Sequence, residues 1–243
     1  VARNSRTKVI SALLRNELEP SLGLTGSGQD VSIMRSTLIK TGILADATGT
    51  PYVELHPENV HMCHLMDEIT AFIMDARTNG RICFSDLYHR LCSPDNHIGL
   101  RKGLIPIYLA AAFHVYKKEL IIEDRHMQVP LTADLLLQIN ANPAAFHLAY
   151  LNWDPEKEAF VHQLEQLFGR NIINAEKAVN SYDYVVSAMK RWYMALPKYA
   201  KNMKRTIRGV NVDQRYQRFL NLLRQSAGSH QLLFVDLPDA FGY

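Results

Sequence analysis

The apolar positions of this chain fall mainly at helical spacing. Over residues 3–19, Val9, Ile10, Leu13, Leu14 and Leu18 form one stripe among Arg6, Lys8, Arg15 and Glu17, and Pro20 closes the segment. A glycine- and serine-rich stretch, Gly23 to Gly28, leads to a second helix that Asp30 or Ser32 can cap, running to Lys40 and ended by Gly42. Residues 45–58 hold two prolines, one glycine and little periodicity, and read as a loop.

The clearest order lies in the centre. Val60 to Ala76 is periodic through Leu65, Ile69, Phe72 and Ile73, and Asn79-Gly80 marks the turn out of it. A short strand, Arg81 to Phe84, precedes a helix from Ser85 to Cys92 and a polar turn from Ser93 to Gly99. Residues 100–115 form a third helix, with Pro106 in its opening turns where it is tolerated. Leu120–Glu123 and Met127–Val129 flank the turn Asp124-Arg125-His126 as a hairpin. This is the element order of a winged helix-turn-helix, with residues 100–115 in the recognition position and the hairpin as the wing. A helix from Thr132 to Asn140 follows, and Phe146 to Trp153 reads as a strand returning to the module.

Beyond Pro155 the pattern is helical again, over Glu158–Phe168, about 175–195, 198–207 and from Asp213 to Arg224, while Leu232–Val235 reads as extended. The expected fold is therefore mainly α. It is multi-helical, with a central winged helix-turn-helix-like module and a short β-hairpin wing. Its domains are an N-terminal helical segment at 1–45 with a linker at 46–58, the module at 59–153, and a C-terminal helical region at 154–243.

Composition sharpens this little. A hydrophobic fraction of 47% and a charged fraction of 21% are those of an ordinary globular chain. Lys and Arg number 27 against 24 for Asp and Glu, a net charge of +3, so any nucleic-acid role must rest on a local patch. Three irregularly spaced cysteines exclude a disulfide framework and fit a reducing cytoplasmic compartment. The longest apolar run, Leu104 to Val115, is too short for a membrane span. Both ends of the sequence read as limits of a segment of something longer.

Candidate chemistry is sparse. Gly23 to Gly28 lacks the Gly-Lys-Ser/Thr and the preceding strand that a phosphate loop needs. His61, Cys63 and His64 are the weak metal candidates of a ligand-dense stretch that also holds His56 and Asp67; paired zinc-finger spacings are absent, and surface histidines with a packed thiol are the plainer reading. Cys83 or Cys92 with His89, and Ser85 with Asp86, lack a nucleophile elbow, so no catalytic residue is assigned. Two basic sets remain. Arg81, Arg101, Lys102, Lys117, Lys118 and Arg125, with His126, surround the module where a DNA-binding winged helix meets phosphates. Against this, the helix between them, from Leu104 to Phe113, offers almost no polar side chain to a base edge and reads as buried all round. The second set, Lys190, Arg191, Lys198, Lys201, Lys204, Arg205 and Arg208, is interleaved with Trp192, Tyr193 and Tyr199 and can line a nucleic-acid channel; a solvated helix face with the tryptophan inward is the favoured alternative.

Two stretches, Leu91-Cys92-Ser93-Pro94 and Gly99-Leu100-Arg101-Lys102-Gly103-Leu104-Ile105-Pro106-Ile107-Tyr108-Leu109-Ala110, resemble a segment that follows the nucleotide-binding region in very large bacterial P-loop ATPases of antiphage defence, the BREX- and Pgl-type among them. Pro130-Leu131-Thr132, Asn142-Pro143 with Phe146, Trp192-Tyr193 with Leu196-Pro197, and Leu233-Phe234 with Leu237-Pro238 fit the same group. The turn Asp95–Ile98 is longer and less aromatic than is usual there. The resemblance covers most of residues 60–243. It implies a non-catalytic scaffold and recognition segment, without a cofactor or small-molecule substrate of its own. Such a segment couples an ATP- and magnesium-dependent part elsewhere in the protein to a protein or DNA partner. Direct duplex-DNA binding is the first alternative, and a small independent enzyme the second.

Overall fold

The N-terminal stripe folds as α1 (Arg3–Leu13), shorter than its pattern, with Val9, Ile10 and Leu13 fully buried. The structure is a computed structural model; it describes residues 3–47, 49–205, 209, 211–226 and 228–242. The chain divides into two compact units, Val1–Asn152 and Trp153–Tyr243. The architecture is mainly α, with two small open antiparallel sheets, both in the first unit. No helix among the described residues is long and apolar enough to cross a membrane.

In the first unit, α2 (Gln29–Met34) runs into a π-helical turn over Arg35–Ile39. Gly28 stands at its N-cap with no side-chain hydrogen bond, so neither Asp30 nor Ser32 caps it. The stretch expected as a loop is instead a hairpin, β1 (Leu44–Ala47) with β2 (Thr50–Val53). Its signal was local rather than periodic: Asp46 Oδ1 accepts the Gly49 amide at 2.8 Å, and Gly49 takes a φ of 87°, open to glycine without a Cβ penalty.

The central order follows the expected one. Asn59 caps α3 (Val60–Asn79), its side chain accepting the amides of His61 and Met62. Gly80 leaves the helix at φ 80°, ψ −146°, a region essentially reserved for glycine. The short β3 (Ile82–Cys83) leads directly into α4 (Phe84–Cys92), which starts one residue before Ser85. The third helix begins later than its pattern. A 3-10 turn at Lys102–Leu104 precedes α5 (Ile105–Val115), with Pro106 in the first turn where its missing N–H costs nothing. Then come β4 (Leu120–Asp124), β5 (Met127–Val129), α6 (Ala133–Ala141), capped by Thr132, and β6 (Phe146–Tyr150).

The sheet order is β3-β6-β4-β5, so the returning strand β6 lies between β3 and β4 and the hairpin strand β5 forms one edge. Leu148 pairs with Ile82 on one side and Ile122 on the other, placing apolar side chains in one row against the helices. Phe72, Phe84 and Phe113 meet at the centre, with ring centroids 5.4 and 6.2 Å apart in successive pairs. Helix α5 is the hub: α1, α3 and α6 all pack on it.

In the second unit, Asp154 caps α7 (Pro155–Phe168). The long helix expected over 175–195 is two: a turn α8 (Asn174–Lys177) and α9 (Asp183–Ala195), separated where Asn180 and Ser181 favour local side-chain bonding over helix. After α10 (Lys198–Asn202), Asp213 caps α11 (Gln214–Gln225) as its position predicted. The segment Leu232–Val235, expected to be extended, lies in a π-helical turn between α12 (Ser229–Gln231) and α13 (Leu237–Phe241), because helical winding buries Leu232, Leu233 and Leu237 together. Trp153, Tyr182 and Phe234 form one aromatic cluster, and Phe168, Trp192 and Phe219 another.

Candidate functional site

Of the central basic set, Arg125 lies at the hairpin turn, beside His126. Arg125 and His126 both adopt left-handed backbone, at φ 48° and 77°, which lets a two-residue turn follow the twist of the strands. Both side chains are exposed, and Met127 beside them is 61% exposed. Arg81 does not join them as an open cation, since its Nε donates to Glu123 Oε2 at 2.6 Å. Glu123, His147 and Cys83 stand in one cross-strand row on the sheet face opposite the core. The pKa of His147 is pushed down by burial first and by Arg81 next, and its Nδ1 is buried without a hydrogen-bond partner. The Cys83 thiol lies 3.8 and 3.7 Å from the carbonyl oxygens of Pro143 and Ala144, and its sulfur accepts the Ser85 hydroxyl at 3.0 Å. Ser85 also reaches Asp86 Oδ1 at 3.5 Å.

The flanks of α5 divide. Arg101 is exposed, and Lys102 places its Nζ 5.9 Å from the Tyr88 ring centroid. Lys117 instead donates to the Leu14 carbonyl and to Asn16 Oδ1, capping the C-terminal end of α1, while Lys118 is exposed. Between them every residue from Ile105 to Phe113 is buried.

In the second unit the basic run is largely braced by its own surroundings. Arg191 donates from Nη1 and Nη2 to the two Glu176 oxygens at 2.9 and 2.8 Å and from Nε to the Asn171 carbonyl at 2.8 Å. Lys201 lies 4.9 Å from the Tyr193 ring centroid and donates to the Met194 carbonyl at 3.1 Å. Arg205 donates to Asn211 Oδ1, also at 3.1 Å. Trp192 is half-buried against Phe168 and Phe219, as the inward reading had it, whereas Tyr199 is exposed. Lys190 is half-buried, Lys198 and Lys204 are exposed, and Arg208 lies outside the described residues.

The ligand-dense stretch is rearranged relative to its sequence order. His64 turns its Nε2 to the Asn96 carbonyl at 3.0 Å, and His61 is exposed at the start of α3. Cys63 is grouped instead with His56 and Asp67, the ligand atoms of all three lying within 4.8 Å of one another. His56 Nδ1 is 3.1 Å from Asp67 Oδ1, and the Cys63 sulfur is 3.6 Å from Asp67 Oδ2. Desolvation, then Asp67, raises the pKa of the Cys63 thiol. The Cys63/Asp67 pair was visible as a four-residue helical spacing. The approach of His56 depends on the path of residues 54–59, where Glu54 Oε1 accepts the His56 amide at 2.8 Å, and no periodicity encodes that path. No protein-family model, no curated protein and no solved structure matches this chain.

Proposed function

We propose that the chain is a non-catalytic scaffold and recognition segment of a larger ATP-driven protein, and that residues 59–153 act as a winged-helix-like module that docks a protein partner. One observation carries this reading: the helix in the recognition position, Ile105–Val115, is buried from Ile105 through Phe113. A winged helix that reads duplex DNA lays such side chains along base edges in the major groove. Here they hold α1, α3 and α6 together, and the exposed parts nearby include the hairpin turn with Arg125, His126 and Met127 and the approach to α5 with Arg101 and Lys102. ATP and magnesium belong, on this proposal, to a nucleotide-binding part outside this sequence, as the resemblance to defence-type ATPases implies.

The test has two arms. Labelled duplex DNA is titrated with the chain across a salt series, and weak binding with a shallow salt slope is expected. Tight binding that falls steeply with salt would count the phosphates contacted and move the reading to direct DNA recognition. In the second arm a photo-crosslinking residue replaces Met127 in the larger protein, and a polypeptide adduct, not a DNA adduct, is expected.

A further inference from the structure

We infer that His56, Cys63 and Asp67 form a zinc(II) site that staples the segment before α3 to its first two turns. The three side chains supply an imidazole nitrogen, a thiol sulfur and a carboxylate oxygen, the set that a borderline-soft divalent ion such as zinc accepts together. A hard cation such as magnesium or calcium prefers oxygen alone, so the thiol argues against those two.

The spacing fits as well as the chemistry. A tetrahedral ion with bonds of about 2.0–2.3 Å to N, O and S sets its donors about 3.3–3.8 Å apart. His56 Nδ1 lies 3.1 Å from Asp67 Oδ1, the Cys63 sulfur lies 3.6 Å from the other oxygen, Asp67 Oδ2, and the three ligand atoms lie within 4.8 Å of one another. Binding through all three requires the donor pairs to close from within 4.8 Å to the tetrahedral spacing, a movement that the exposed side chains of His56 and Asp67 can make by rotation.

The scaffold already restricts two of the donors. Cys63 and Asp67 sit one turn apart on α3, whose start is fixed by the Asn59 cap. His56 comes from the loop before it, where the bond from its amide to Glu54 Oε1 orients the backbone. His56 and Asp67 are exposed and Cys63 is half-buried, which leaves the fourth coordination position open to water. On binding, the thiol proton passes to the buffer and the thiolate becomes the ligand. The ion then links the segment around His56 to α3 by bonds stronger than the present imidazole–carboxylate contact.

Cobalt(II) is the probe, because a thiolate ligand gives it a charge-transfer absorption that oxygen and nitrogen ligands do not. Titrating the chain with cobalt is expected to raise this band to saturation at one equivalent, and added zinc to abolish it. The band should disappear in Cys63→Ser and persist in the double variant Cys83→Ser/Cys92→Ser, which identifies Cys63 by elimination even if Cys63→Ser folds poorly. His56→Ala and Asp67→Ala should each weaken zinc binding by more than about tenfold, the lower bound for losing a supporting group around a bound metal. Absence of the band in the native chain, its survival in Cys63→Ser, its loss in the double variant, or unchanged affinity in His56→Ala and Asp67→Ala would each overturn the site.

Discussion

The imidazole Nδ1 of His114, near the end of α5, donates to the carbonyl oxygen of Leu13 at 2.9 Å, across 101 residues of sequence. The last carbonyls of α1 have no partners within their own helix; His114 supplies one at Leu13, and Lys117 supplies the next carbonyl, Leu14, just beyond the helix. This contact places α1 on α5 and makes residues of the N-terminal segment part of the same core as the central helices.

The contact gives the first unit a pH dependence. Burial lowers the pKa of His114, the neighbouring Lys117 acts in the same direction, and the hydrogen bond to Leu13 opposes both. The unfolded chain, with an ordinary histidine near pH 6.5, therefore takes up the proton before the folded chain does. Stability is fully present above about pH 6.5 and is lost as pH falls from there through the depressed folded value. Urea denaturation at a series of pH values should show the midpoint falling over that window. His114→Gln, which keeps a donor for Leu13 but cannot titrate, should flatten the fall.

Burial of α5 makes a sharper demand. Ala111 is fully buried at the middle of that helix. Ala111→Leu should cost about 1–3 kcal/mol by overpacking. Ala111→Glu, which places an unpaired carboxylate in the core, should cost on the order of 3–5 kcal/mol and leave little folded protein. Calorimetry on both variants checks this. A helix whose Ala111 face met solvent or a groove would tolerate the glutamate with almost no change in midpoint.

The helices and their faces were the legible part of this fold. Positions such as Leu65, Ile69, Phe72 and Ile73 repeat at helical spacing and are buried as that spacing requires. The apolar run from Leu104 to Phe113 had no polar side, and the core closes around it. What periodicity could not convey was anything set by a single contact. The β1–β2 turn rests on Asp46 and Gly49, the sheet order on a register between Leu148 and its two neighbours, and the donor cluster on where residues 54–59 bring His56. Basic residues were the least legible of all. Their charge was plain, but whether Arg81 or Arg191 faced a phosphate or a glutamate depended on partners 42 and 15 residues away.

Lys117 illustrates the consequence for the basic set around α5. Its ammonium group donates to Leu14 and Asn16 and so acts on α1. Lys117→Met should lower stability by about 1.5–3 kcal/mol, the range for losing hydrogen bonds to a charged group. The same variant should leave the salt slope of any residual DNA binding unchanged, whereas a phosphate contact would lower that slope by about one.

Arg191 provides the corresponding test in the second unit. Its guanidinium spans Glu176 with two parallel bonds and reaches the Asn171 carbonyl with a third, a geometry that an ammonium group cannot reproduce. Arg191→Lys, which conserves charge, should therefore destabilise the unit almost as much as Arg191→Gln, each by about 1 kcal/mol for a pair that remains one-third exposed. A double-mutant cycle with Glu176→Gln should return most of that energy as coupling, and hydrogen exchange should rise at α8, where Glu176 sits. If Arg191 served mainly to attract a nucleic-acid backbone, lysine would replace it with no loss of stability and the cycle would return no coupling.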